Sequence, residues 1–325
     1  MGTFLSDSHM KLSDVLMLMQ YTPEAAFFRE VEKKSRLMRT LPWYESSDGN
    51  IHKGTKATKL PEGAFGAYNK AIPTSNLATT AYEKTMKLYE LKSVVDKRFF
   101  RNMNEEQANK VRAGKDAMYA RGFMQGLAKQ IVTCEGNGLD EEKGLLAMRN
   151  KLGEYCFSAG GTSNLGSILF IRPDEDGVNI RYPGLAGAGV LIDDVGEVEA
   201  AEITRDGVYK GTYRALETDY SCNYLIDVPD DSALIRLANL DTSRALSKTD
   251  VDMLIDIVNE LPNGGEGYVA YGPQKILGQF WKYLNDKNNI AFSKHEVEGM
   301  GVPTHIFNVP FFAEEYMTVN ETQIK

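Results

Sequence analysis

The side chains able to do chemistry are few and scattered. Histidine occurs at four positions, His9, His52, His295 and His305. No two of these stand three or four residues apart, the spacing that puts two imidazoles on one helical face for a metal ion. Each therefore reads as a surface or loop residue. Cys134, Cys156 and Cys222 are far apart and form no C-x-x-C pair, so neither a zinc site nor a disulfide framework is expected. They should be reduced thiols, mostly buried. The chain contains no G-x-x-x-x-G-K-[ST] phosphate loop and no G-x-S-x-G nucleophile elbow.

The glycine-rich run Gly184-Leu185-Ala186-Gly187-Ala188-Gly189 is similar to the phosphate-binding turn of dinucleotide folds, and a soluble enzyme with a cofactor site there is one reading. In such folds, however, the glycines follow a strand and open a helix. Here they follow Tyr182-Pro183 and lead into Val190-Leu191-Ile192, so a loop of close backbone approach is expected instead. Asp193-Asp194, Glu197 with Glu199, Asp174-Glu175-Asp176 and Asp230-Asp231 could hold a cation, but none is accompanied by histidine. All read as solvated carboxylates in turns. Phe99-Phe100 and Phe311-Phe312 read as core or interface anchors. No catalytic, cofactor-binding or metal-binding residue is assigned, and no enzymatic activity is expected.

The elements around these residues follow from pattern. Ser13-Asp14 caps a short helix over Val15 to Met19, and Thr22-Pro23-Glu24 opens a second segment that Leu41-Pro42-Trp43-Tyr44 stops. With so few apolar positions, this region must lie along another surface. From Ile51 to about Pro73, lysines alternate with glycines and Pro61, the chemistry of a long exposed loop or hairpin, and Ser75 to Lys97 favours strand. Asn104-Glu105-Glu106 opens a helix whose apolar spacing runs through Ala113, Ala117, Ala120, Met124, Leu127 and Ile131. Such a helix from Asn104 to Val132 would be roughly 43 Å long, weakened internally by Gly114, Gly122 and Gly126.

Strand-like runs follow at Ser167 to Ile171, Val190 to Ile192, Gly207 to Tyr213 and Ala233 to Leu237. Ser247 with Asp250 forms a capping box before a helix with apolar face Val251, Leu254, Ile255, Val258 and Leu261. Gly272-Pro273 starts another, carrying Ile276, Leu277, Phe280, Trp281 and Leu284, and His305 through Thr318 returns to strand. The order is α+β, without βαβ alternation or internal repeat.

Of 325 residues, 42% are apolar and 25% charged, a globular composition, and no apolar run approaches the roughly 20 residues of a membrane span. The N-terminus lacks the features of a secretory signal, so cytoplasmic synthesis is expected. Net charge is −8, from 37 basic and 45 acidic residues, which disfavours a sequence-reading nucleic-acid binder.

Several segments, in order, carry a family resemblance. They are Gly160-Gly161-Thr162-Ser163-Asn164-Leu165-Gly166-Ser167, Tyr182-Pro183-Gly184, Asp193-Asp194-Val195-Gly196, Gly207-Val208-Tyr209 and Arg236-Leu237-Ala238-Asn239-Leu240-Asp241. With Leu12-Ser13-Asp14-Val15-Leu16, Leu41-Pro42-Trp43 and Asn320-Glu321, the chain resembles tailed-bacteriophage major capsid proteins of the Hong Kong 97-type fold.

That resemblance implies an N-terminal arm (1–50), an extended loop (51–97), a peripheral domain with a spine helix (98–188, helix about 104–132), an axial domain (189–308) and a C-terminal return (309–325). It implies a structural subunit of an icosahedral virion shell, built from hexamers and pentamers, matured from a procapsid and enclosing double-stranded DNA without reading its sequence. No cofactor and no membrane are involved. Trp43, Lys53, Lys56, Lys59, Phe65 and Tyr68 are the candidate inter-subunit contacts. Some relatives cross-link a loop lysine to a neighbour's asparagine, but lysine is common on exposed loops, so Lys53, Lys56 and Lys59 are read as contact residues only. The arm starts almost at once, leaving no room for a fused scaffolding domain, so a separate scaffolding protein is expected, along with a portal and a possible decoration protein. Assembly in the host cytoplasm is expected. The alternative within the same fold is an encapsulin-like compartment with protein cargo.

Overall fold

The computed structural model describes residues 35–59, 61, 63, 65–66, 68, 71, 76, 78–137, 140–184, 190–203, 209–284, 293–294, 304–306 and 308–325. The helix expected over Val15 to Met19, the segment opened by Thr22 as far as residue 34, His9, His295, the glycine run 185–189 and Gly207-Val208 lie outside them.

In chain order the elements are α1 (Arg36–Thr40), β1 (Trp43–Glu45), β2 (Ile51–Lys59), β3 (Ala78–Thr85), β4 (Lys87–Asp96), α2 (Glu105–Thr133), α3 (Leu145–Met148), β5 (Cys156–Ser158), β6 (Leu165–Ile171) and β7 (Asn179–Tyr182). There follow β8 (Val190–Ile203), β9 (Tyr209–Asp227), β10 (Leu234–Asp241), α4 (Lys248–Glu260), β11 (Val269–Gly272), α5 (Gln274–Leu284), β12 (Ser293–Lys294), β13 (Thr304–Ile306) and β14 (Val309–Ala313). The α+β class stands.

Three sheets organise these strands. One has five strands in the order β1-β7-β9-β4 with β8 also on β9, one has seven in the order β12-β13-β14-β11-β6-β10-β5, and among the described residues β2 pairs with β3 alone. The larger two each take strands from both sides of position 189. Strand β6 is buried along its whole length, and its alternation divides the core. Leu169 and Ile171 join one apolar cluster with Phe123, Met124, Leu127, Trp43 and Tyr220. Ile168 and Phe170 face the other cluster, with Leu254, Val258, Ile276, Phe280 and Phe311.

Helix α2 starts as its residues dictate: the Asn104 side chain accepts the Gln107 N–H at 2.8 Å, and Gln107 reaches back to the Asn104 N–H. Its second half packs Ala120, Phe123, Met124, Leu127, Ala128, Ile131 and Val132 into the core, and its first half is largely exposed. At α4 the Ser247–Asp250 capping box forms as expected, but Ile257 occupies the fully buried position assigned to Ile255, which is only partly covered. The C-terminal strand ends at Ala313 rather than Thr318, because the Glu314 carboxylate turns back to accept the Tyr316 N–H at 3.4 Å. Asp193, Asp194, Glu197 and Glu199 are not in turns. They sit on β8, which among the described residues pairs with β9 alone and carries a register shift between Asp194 and Gly196. Carboxylates and a bulge on an open edge discourage indiscriminate strand pairing.

Candidate assembly surfaces

The β2–β3 hairpin is antiparallel, in register from Ile51 opposite Thr85 to Ala57 opposite Thr79, with a shift before Lys59 opposite Ala78. It is a two-stranded sheet, so both of its edges are open among the described residues. Its base is tied to the body through Asp227, the last residue of β9, whose side chain is wholly buried. The Tyr82 hydroxyl donates to both Asp227 oxygens at 2.9 and 3.1 Å, the Lys84 ammonium lies 3.1 Å from Oδ1, and His52 Nε2 lies 3.3 Å from Oδ2. His52 is thus buried, not the surface residue expected, because its strand folds against the end of β9. Burial depresses the His52 imidazolium, with Arg181 and Lys84 adding repulsion that Asp227 partly offsets. His305 corrects the same expectation: it is 4% exposed, on β13 within the seven-stranded sheet.

Further along the hairpin, Lys53 pairs with Asp48 at 2.8 Å. Lys56 pairs with Asp231, which Arg149 also holds at 3.2 Å. These two cations keep the Asp231 carboxyl low against the opposing effect of burial. The Lys59 side chain lies outside the described residues. Between the strands, Phe65 and Tyr68 are 108% and 101% exposed. Trp43 does not belong with them: at 1% exposure it is part of the subunit core, turned inward by the parallel pairing of β1 with β7. Phe99, at 67%, is exposed, whereas Phe311 and Phe312 are core residues.

The segment before β1 is fixed by Glu314. This carboxylate is completely enclosed and accepts from the Ser35 hydroxyl at 3.0 Å and the Leu37 N–H at 3.1 Å. Burial outweighs these bonds and pushes its carboxyl up to about 7. Leu37, Met38 and Leu41 then enter the core. Sequence reasoning missed this anchor, since its partners are 279 and 277 residues apart along the chain.

Two of the ordered motifs meet at the C-terminus. Arg236 donates to Ser167 Oγ at 2.9 Å, to the Leu146 carbonyl at 2.7 Å and to Glu321 at 2.7 Å. Asn239 exchanges two hydrogen bonds with the Ile324 backbone at 2.8 and 2.9 Å, and Gln323 donates to the Gly161 carbonyl at 3.1 Å. Gly161 allows the close approach, since a Cβ there would stand 2.5 Å from the Asn239 carbonyl oxygen. Asn239 adopts a left-handed φ of 58°, a conformation asparagine tolerates better than most residues.

The three cysteines are free, with Cys156 and Cys222 buried and Cys134 half-buried; burial raises each thiol. Among the described residues no group of three or more His, Cys, Asp or Glu is placed to hold a metal ion. No described helix is long and apolar enough to cross a membrane.

An open hairpin, a half-exposed spine helix and a sheet flanked by α4 and α5 define a capsid shell subunit. The family model for major capsid protein GP7 matches residues 27–325, and the chain belongs to that family. Among solved structures it is similar to bacteriophage Epsilon15, with 20% identity over 87% of both chains and a TM-score of 0.58. It is also similar to the bacteriophage JBD30 capsid, with 11% identity over 88% of this chain and 91% of that one and a TM-score of 0.54. An encapsulin complex, SrpI from Synechococcus elongatus PCC 7942, aligns with 65% of this chain and 89% of that one, at 12% identity and a TM-score of 0.41. No curated protein matches the chain. The fold is the Hong Kong 97 type, and the chain is a structural subunit of a tailed-phage icosahedral shell.

Proposed function

We propose that this subunit assembles as hexamers and pentamers into a closed virion shell around double-stranded DNA, using the β2–β3 hairpin to overlap one neighbour and the arm before Asn50 to clasp another. The observation that carries the reading is the hairpin itself. It has two open edges and fully exposed aromatics at Phe65 and Tyr68, which a lone subunit in water has no reason to present. Lys53, Lys56 and Lys59 would lie on the overlapping face as non-covalent contacts. Residues 98–188 with 309–325 would form the peripheral part and 189–308 the axial part around the capsomer centre. The role is structural, with no chemistry of its own. Assembly would take place in the host cytoplasm with a separate scaffolding protein and a portal, and with an optional decoration protein on the finished shell.

Electron microscopy of the purified protein, alone and co-expressed with its genomic neighbours, tests this. Closed shells from the co-expressed set are the expected result. Discrete monomers under every condition would overturn it, and correctly sized shells from the chain alone would remove the scaffolding protein from the account.

A further inference from the structure

We propose that Asp227 is the positioning residue of the β2–β3 hairpin, and that its grip on His52, Tyr82 and Lys84 sets the angle at which the hairpin leaves the subunit. The inference rests on the inter-subunit role proposed for that hairpin.

The geometry is directional. His52 and Lys84 are a cross-strand pair, and Tyr82 stands two residues beyond Lys84 on the same face, opposite Gly54. Lys84 binds Oδ1, His52 binds Oδ2, and Tyr82 spans both, so β2 and β3 are held together by one carboxylate. The anchor is rigid, because Asp227 is paired with Asn179 in the five-stranded sheet. A wholly enclosed carboxylate is costly to leave without partners, so swinging the hairpin away is opposed at its base.

Gly54 is an independent part of the same device. A Cβ at this position would overlap the end of the Tyr82 ring. Only the missing side chain lets the tyrosine lie across β2 and reach Asp227.

The groups around the carboxylate make the hold dependent on pH. Asp227 faces His52 on β2 and Tyr82 and Lys84 on β3, and Arg181 on β7 acts on His52 and Tyr82. Glu142, after α2, lies within electrostatic reach of Lys84, Lys87 and Asp227. His52 Nδ1 is buried with no hydrogen-bond partner among the described residues. A proton added there has no acceptor and sits beside two cations. Because the folded imidazolium is depressed, the hold is complete above the ordinary histidine range and weakens as pH falls through it. Glu142 takes up its proton on the same acidification; it accepts the Ile226 N–H and loses its attraction for Lys84, an effect that does not involve His52.

Hydrogen–deuterium exchange of the full-length subunit before assembly tests the proposal, using Asp227→Asn, Gly54→Ala and His52→Gln. Exchange in 51–59 and 78–85 should rise at least tenfold in the first two variants while β6, β10 and α4 keep wild-type protection. After correction for intrinsic exchange, acidification from pH 7 to 5.5 should loosen the hairpin in the wild type but not in His52→Gln. Unchanged hairpin protection in Gly54→Ala and Asp227→Asn overturns the inference. So does a loss spread evenly over both large sheets, which would mark a general stability defect. If Asp227→Asn does not fold, the Gly54→Ala result decides. A hairpin that loosens in the subunit while normal shells still form would leave Asp227 as the anchor and sink the inter-subunit role of the hairpin instead.

Discussion

Two buried ionic sites carry opposite kinds of risk for the subunit. Among the described residues Glu314 accepts from neutral donors, Ser35 and backbone N–H groups, and burial pushes its carboxyl up to about 7. A carboxyl raised on folding favours the native state most below its ordinary value near 4.5, and that advantage is lost as pH rises to about 7. At 1.36 kcal/mol per pH unit the loss is on the order of 3 kcal/mol. Urea melts at pH 5 and pH 8 should therefore show a pH-dependent loss of stability that Glu314→Gln reduces by about that amount. Arg236 is the reverse case, a buried cation held by Ser167 Oγ, the Leu146 and Arg149 carbonyls and the Glu321 carboxylate. Arg236→Ala leaves the largely buried Glu321 carboxylate without its cation and should cost about 3–5 kcal/mol by the same measurement. Neither pairing was legible in the sequence, although Arg236, Ser167 and Glu321 each stand in one of the ordered motifs. Their partners lie far along the chain, and one sequence records no pairing across such distances. The same blindness put His52 and His305 on the surface.

Elements were far more legible, because their signals are local. Asn104 and Ser247 announce their helices through capping chemistry that needs only the next three residues. The alternating and uniformly apolar runs of β6 and β10 likewise identify strands. What local pattern does not give is extent. Strand β9 runs unbroken for 19 residues because β4, β7 and β8 all pair with it, whereas pattern alone marked only its beginning. Short strands such as β1 and β7 exist only through each other and β9. The spine helix makes the contrast testable. An added Cβ at Gly114 or Gly122 meets nothing within 4 Å, so Gly114→Ala and Gly122→Ala should each stabilise the subunit by about 0.5–1 kcal/mol. At Gly126 the Cβ would strike the Tyr89 hydroxyl, whose ring packs 5.2 Å from Phe123, so Gly126→Ala should destabilise despite identical helix propensity. Thermal unfolding of the three variants gives the signs directly.

At the scale of the whole molecule, the sequence pointed to function through what it lacked in chemistry and what it carried in reach. The subunit invests its apolar residues in two clusters and still leaves Phe65 and Tyr68 entirely outside them. Removing exposed aromatics that touch nothing in the fold should leave stability within about 0.5 kcal/mol of wild type. If these rings instead complete their burial on a neighbouring subunit, each withdraws on the order of 150–250 Å² from water during assembly. At about 25 cal/mol per Å² that is several kcal/mol per contact, repeated at every equivalent position of a closed shell. A Phe65→Ser, Tyr68→Ser double variant should therefore melt like the wild type yet assemble far less well, with light scattering and electron microscopy reporting few closed particles. The net charge of −8 acts in the opposite direction, since like-charged subunits repel. Added salt shortens that repulsion, to a screening length of about 3 Å at 1 M, without restoring lost apolar contact. Salt should hence speed wild-type assembly and fail to rescue the double variant. Rescue by salt alone would mean that charge, and not the two rings, limits shell formation.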